Sequence, residues 1–185
     1  PDLALDLREH LKQAKKKVDT LSPASQVLVL SFLLGRLNEP ENLTPTGLAK
    51  QLPYAKMSMS RAIDELKGLN LLESHGDLGC ARNRFVDLGQ SLWKRARPYL
   101  RNPVKKRIYL DELFHQLQFK AGESALEEAT MLGSPKRETC ALTSTEWKQL
   151  QAKDYIHMIP EVSKDLAHAE LEIWSYDPSL LTDGP

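Results

Sequence analysis

Ser58, Ser60 and Arg61 are close neighbours whose side chains have the chemistry to read a nucleic acid. An arginine can donate two parallel hydrogen bonds to a guanine edge or a phosphate, and a serine hydroxyl can serve either kind of partner. Lys56 and Lys67, on the same stretch, suit phosphates, and Arg82 and Arg84, two apart in an extended segment, project together. Lys56, Ser58, Ser60, Arg61, Lys67, Arg82 and Arg84 are therefore the candidate DNA-binding set. The competing reading, a solvated charged face, has less force for the arginines than for Lys67.

Catalytic patterns do not compete with this set. His10, His75, His115, His157 and His168 show no close metal-ligand spacing, and neither GxSxG nor GxxxxGK[ST] occurs. Glu170-x-Glu172 on a strand has the spacing of a pair of metal-binding carboxylates. The lysine that such a nuclease site needs nearby is absent, so alternating acids on an exposed sheet face are the simpler reading. The chain is expected to be no enzyme and to require no cofactor and no metal.

The elements that must carry the candidate set follow from hydrophobic period. Thr44 or Thr46 can cap a short helix bearing Leu48 and Leu52, and Pro53 stops it. Pro53 to Lys56 is then a turn, and Ser58 is the expected N-cap of a second helix whose Met59, Ala62, Ile63, Leu66 and Leu69 form one stripe. After Asn70 the period becomes two: a strand at Leu71–Glu73, a glycine-punctuated turn at Ser74–Gly79 and a returning strand at Ala81–Val86. Upstream, Ser22-Pro23 opens a strongly apolar helix with Val27, Leu28, Leu30, Leu33, Leu34 and Leu37, ended by Gly35 and the loop after it. Downstream, Leu88-Gly89-Gln90 leads into a helix through Trp93, with Lys94, Arg95 and Arg97 as a basic ridge and Pro98 as its kink or end. Helix, turn, helix, hairpin, helix is the order of a winged helix-turn-helix.

The segment MSMSRAIDELKGLNLLE resembles the recognition-helix region of the MarR-like winged-helix transcription regulators. That resemblance implies that the second helix enters the major groove and that the hairpin wing lies beside the backbone or in the minor groove. The chain departs from the pattern at Asn70-Leu71-Leu72, where glycine usually ends the helix, although asparagine tolerates the same left-handed backbone. The scaffold also serves as a protein-interaction module, so the resemblance speaks more to fold than to partner.

The 185 residues carry a formal net charge of zero, which conceals a segregation. Residues 44–107 hold thirteen basic against five acidic side chains, and residues 108–185 hold six basic against fourteen acidic. The basic block coincides with the expected winged helix, which favours double-stranded DNA as its partner. Cys80 and Cys140 have no CxxC or histidine companions, so two reduced thiols are expected, with a redox-sensing role for Cys80 as the sharper alternative. No apolar run reaches membrane-span length and no leader pattern opens the chain, so a cytoplasmic protein is expected.

Residues 1–21 are expected to hold a helix over 3–18, with Leu7, Leu11, Ala14, Val18 and Leu21 as a short heptad-like seam. It packs on its own chain or makes a homodimer contact. The winged helix-turn-helix domain is assigned to 22–102, and a small acidic α+β domain to 103–185. There strands are expected at Val104–Tyr109, Glu138–Leu142, Tyr155–Ile159 and within Ala167–Tyr176. A helix from Gly122 carries Ala125, Leu126, Ala129 and Leu132; Thr143 and Glu146 form a capping box; and Asp177-Pro178 starts a last helix. The fold class is thus α+β. The segments GESALEEATMLGSPKRETCAL and ELEIWSYDPSLL resemble the C-terminal domain of winged-helix regulators related to abortive-infection (AbiEi-type) antitoxins. Chains of that kind run on past WSYDP, so this sequence is expected to be a piece of a longer one. The resemblance implies a repressor, in one version an antitoxin-like autoregulator; the alternative is a module whose acidic domain binds a partner protein.

Overall fold

The computed structural model describes residues 20–76, 82–112, 117, 119–153 and 156–182, and the chain divides into two compact units, Pro1–Arg101 and Asn102–Pro185. The expected helix over 3–18 with its dimer contact, the tip of the hairpin turn, Cys80 and the start of the expected strand at Tyr155 lie outside the described residues.

In the first unit, α1 spans Pro23–Leu33, α2 Pro45–Gln51 and α3 Lys56–Gly68; the antiparallel strands β1 (Leu72–His75) and β2 (Arg82–Phe85) follow, then α4 (Gly89–Ala96), which runs into a 3-10 turn at Arg97–Tyr99. Local chemistry sets most boundaries. The Ser22 hydroxyl accepts from the Ser25 N–H with Pro23 in the first turn, and Thr44 caps α2 by accepting from the Gly47 N–H at 3.0 Å. Ser58 does not cap α3: the helix begins two residues earlier, behind Ala55, and no side chain caps it. The C-termini of α1 and α3 close in the same way. Gly35 and Asn70 sit at φ 68° and 55°, and the next residues, Arg36 and Leu71, return their N–H groups to Ser31 and Leu66 at 2.8 and 2.9 Å.

The core of this unit gathers Val27, Leu28, Leu48, Met59, Ile63, Leu66, Leu71, Phe85 and Leu92, all buried. Helix α1 packs against α3 and α4, and Leu34 is 53% exposed because it lies at the C-cap, beyond the last buried turn. Gln26 is buried and grips the unit's far end, donating to the Arg101 carbonyl at 3.0 Å and accepting its N–H at 2.8 Å. The hairpin is stitched to the chain ahead of α2: Leu43 and Asn83 exchange backbone hydrogen bonds at 2.8 and 3.1 Å, and the Asn83 amide donates to the Leu43 carbonyl at 2.8 Å.

The second unit is a mixed sheet in the order β4-β6-β3-β5, with β3 at Val104–Leu110, β4 at Glu138–Thr143, β5 at Met158–Ile159 and β6 at Ala169–Trp174. β6 is parallel to β4 and antiparallel to β3. Helix α6 (Ser144–Lys153) brings Trp147 and Leu150 to one face of this sheet, over Ile108, Leu110, Cys140, Leu142, Leu171 and Ile173. The capping box is present, with the Thr143 N–H donating to Glu146 at 2.6 Å and the Glu146 N–H to the Thr143 hydroxyl at 3.2 Å. Helix α5 (Gly122–Ala129) is shorter than expected and leaves Leu132 outside it, 60% exposed, and the last helix is only a 3-10 turn at Pro178–Leu181. The molecule is α+β.

Candidate nucleic-acid interface

Helix α3 buries one stripe and exposes the other. Met59, Ala62, Ile63 and Leu66 face the core, which places Met57, Arg61 and Asp64, at positions i, i+4 and i+7, along the outward ridge. Ser60 and Lys67 are half-buried on one flank, and Ser58 is half-buried on the other. Lys56 is exposed at the first helical position, where its charge can reach past the N-terminus. No described residue forms an ion pair with Lys56, Arg61 or Lys67, so these cations are held by no described carboxylate. Lys56, Ser58, Ser60, Arg61 and Lys67 thus share α3, with Arg61 at the middle of its solvent face.

Glu65, beside Ser58 on the inner flank, has a different task. Its carboxylate accepts from the Ser22 N–H at 3.0 Å, from the Ser22 hydroxyl at 2.7 Å and from the Ser25 hydroxyl, which locks α3 to the N-terminus of α1. The outer face of α3 is therefore displayed on a helix whose rotation is fixed.

On the hairpin, burial alternates along β2: Arg82 and Arg84 are exposed while Asn83 and Phe85 are buried. Phe85 stacks on Phe32 with centroids 4.2 Å apart, which anchors the strand and pins both arginines to the solvent side. Neither arginine is unoccupied. Arg84 pairs across the strands with Glu73 at 2.7 Å, its register partner, and Arg82 donates to the Asn42 side chain at 3.3 Å. Arg82 also shares with Lys50 the wall of a cleft of about 540 Å³ beside α2.

The expected basic ridge on α4 is incomplete. Arg95 is committed to Asp87 and to the Asn70 carbonyl, the latter at 2.7 Å, so it closes the end of α3 instead of facing solvent freely. Lys94 and Arg97 are exposed. The ridge was read from charge alone, and the i−8 carboxylate that claims Arg95 lies across a turn.

One outward residue was missed by the sequence reading, Met57, whereas Asp64 is exposed on the face opposite the apolar stripe, where the period puts it. Met57 is 64% exposed, an unusual place for a large apolar side chain on an otherwise polar face. The signal was available, since Met57 stands at i and Arg61 at i+4, but a methionine in a helical run reads as core.

In the second unit, Glu170 and Glu172 are not the exposed acids expected of them. Their side chains are only 15% and 8% accessible, and both bind Arg107, at 3.0 and 3.1 Å. The hydrogen bond to Glu172, reinforced by the nearby negative charges, outweighs desolvation and holds the Arg107 guanidinium above its ordinary pKa. Among the described residues no group of three histidine, cysteine or acidic side chains is placed to hold a metal ion. Cys140 is buried, and that burial, with Glu138 nearby, pushes its thiol up to about 11 against a weaker opposing effect of Lys120. No helix among the described residues is long and apolar enough to cross a membrane. No family model matches the chain, and no curated protein or solved structure shows significant similarity to it.

Proposed function

We propose that the chain is a cytoplasmic, sequence-specific DNA-binding transcriptional regulator of the repressor kind, in which residues 22–102 act as a winged helix-turn-helix. The reading rests on one observation above others: Arg61 stands at the centre of the solvent face of α3, unpaired among the described residues, while that helix is locked to α1 through Glu65. A donor fork that costs nothing to release, on a helix that cannot rotate, is what base-edge recognition requires. The pair Arg82 and Arg84 on the hairpin and Lys56 at the start of α3 supply phosphate contacts on either side. Selection from randomised duplexes followed by fluorescence anisotropy tests the proposal. It requires a recovered consensus and an affinity for it at least a hundredfold above random duplex, falling steeply with salt. Equal affinity for both duplexes would remove the specificity claim.

A second reading has its own observation. In the acidic unit Leu126, Met131, Leu132, Val162 and Leu166 are all more than half exposed. That exposure favours the interaction-module alternative, in which residues 103–185 bind a partner protein, antitoxin fashion. Co-purification of the full chain with a neighbour-encoded protein, lost on Val162→Asp with Leu166→Asp, is the corresponding test.

A further inference from the structure

The two faces of the second unit's sheet differ in kind. One is apolar and lies under α6; the other carries Arg107, Tyr109, Thr139, Glu170 and Glu172 and forms the floor of a cleft of about 420 Å³. Lys136 and Arg137 ahead of β4, Lys164 in the 3-10 segment after β5, and Gly122 and Glu123 at the start of α5 complete its walls.

The charges in this cleft are unevenly satisfied. Glu170 and Glu172 share Arg107 at 3.0 and 3.1 Å, one cation for two carboxylates, and Glu172 also accepts from the Trp174 indole at 3.0 Å. Arg137 is different. Its side chain is only 17% exposed, its carboxylate neighbours Asp165 and Glu170 stand off at 3.7 and 3.8 Å, and no hydrogen bond reaches it among the described residues. Its guanidinium carbon lies over Tyr109, 5.6 Å from the ring centroid, which holds the group against the cleft floor. Its two ion pairs are long and carry no hydrogen bond, so an acceptor entering the cleft could take up its donors. Lys136 and Lys164 are exposed and paired with no described carboxylate. Glu123, the remaining acid on the wall, is exposed.

We propose that this cleft is a binding site for a small phosphorylated ligand, whose phosphomonoester is held by Arg137 with Lys136 and Lys164. A dianion with three terminal oxygens matches one planar fork and two ammonium groups, whereas a lone carboxylate would leave part of that positive charge unanswered. The first turn of α5 has no side-chain cap and adds its amide dipoles to the same wall. An open cleft of about 420 Å³ admits a ligand of metabolite size.

Isothermal titration of the full chain with inorganic phosphate and with glycerol 3-phosphate, at pH 7.5 and with ionic strength held by sodium chloride, tests the site. Saturable one-site binding is expected, weakened at least tenfold by Arg137→Gln and by the exposed pair Lys136→Gln with Lys164→Gln. Lys148→Gln on α6 should leave it unchanged. Far-UV circular dichroism confirms that the lysine pair folds, so a misfolded Arg137 variant does not decide the matter. Phosphate heat no larger than that of added chloride, or binding that survives the lysine pair, would overturn the site. Tighter binding of a phosphoserine peptide than of glycerol 3-phosphate would overturn its assignment to a small molecule.

Discussion

Glu65 accepts hydrogen bonds from both the backbone N–H and the hydroxyl of Ser22, at 3.0 and 2.7 Å, so one carboxylate of α3 does the work of an N-cap for α1. Glu65→Ala removes an anion from a helix N-terminus and leaves donors to find water. Hydrogen bonds to charged groups of this kind contribute about 1.5–3 kcal/mol. The first unit should therefore melt roughly 10 °C lower. Ser22→Ala should cost less, and the double variant little more than Glu65→Ala alone, because the two residues share one interaction. Additive losses in calorimetry would show that the contact contributes nothing of its own.

Glu65 also shows what the sequence could and could not disclose. The caps at Ser22, Thr44 and Thr143 were legible because they join residues three apart, and Asn70 was legible because only a residue tolerant of positive φ can end a helix there. Ser58 misled for the complementary reason. It is a good capping side chain, yet the short link after α2 starts α3 at Lys56 and places Ser58 inside the first turn. Glu172 misled because strand alternation names the face a residue occupies but not what covers that face, and Arg107 lies 65 positions away. The outward stripe of α3 was legible from period alone, whereas the pairing of Arg84 with Glu73, which needs the hairpin register, was not.

Arg107 holds two largely buried carboxylates together, and its removal should matter more than its half-exposed position suggests. Arg107→Ala leaves Glu170 and Glu172 side by side on one face of β6 with only the more distant Arg137 beside Glu170, a loss of about 1–3 kcal/mol in urea unfolding of the second unit. Adding Glu172→Gln to that variant should restore part of the loss. A double variant less stable than Arg107→Ala would mean that the hydrogen bond from the Trp174 indole, and not Arg107, is the main hold on Glu172.

Cys140 bears on redox sensing. Its thiol stays protonated well beyond neutrality, since burial moves it up to about 11 from 9.0. In a Cys80→Ser background the native chain at pH 8 should react with a disulfide reagent only at the rate of unfolding. The sign of the linkage also follows. Between pH 9 and 11 the unfolded chain releases a proton that the folded chain keeps, so this group lowers stability as pH rises through that window. Rapid stoichiometric labelling of the native protein would contradict the buried placement.

Glu73 should restrain the hairpin's grip on DNA. Its carboxylate neutralises Arg84 at 2.7 Å, and both side chains are about half exposed, so the pair adds at most about 1 kcal/mol to stability. Glu73→Gln should then leave the melting temperature nearly unchanged while raising affinity for duplex DNA severalfold at low salt and steepening the salt dependence by about one phosphate contact. Weaker binding by this variant would place the hairpin away from the backbone.

The ridge Met57, Arg61 and Asp64 presents an apolar group, a two-pronged donor and an acceptor on successive turns of α3. Asp64 argues against indiscriminate phosphate binding, because a carboxylate at the centre of such a face repels the backbone. It suits a cytosine amino group instead, as Arg61 suits a guanine edge and Met57 a thymine methyl. The consensus recovered by selection should accordingly contain thymine, guanine and cytosine within one major-groove half-site. Replacing that thymine by deoxyuridine, which deletes only the methyl, should weaken the wild type and leave Met57→Ala unaffected. Arg61→Ala should reduce specific affinity by about 1–3 kcal/mol while barely changing non-specific binding, and Lys56→Ala should weaken both alike. A Met57→Ala protein as sensitive to the methyl as the wild type would remove Met57 from the groove, and with it this alignment of α3.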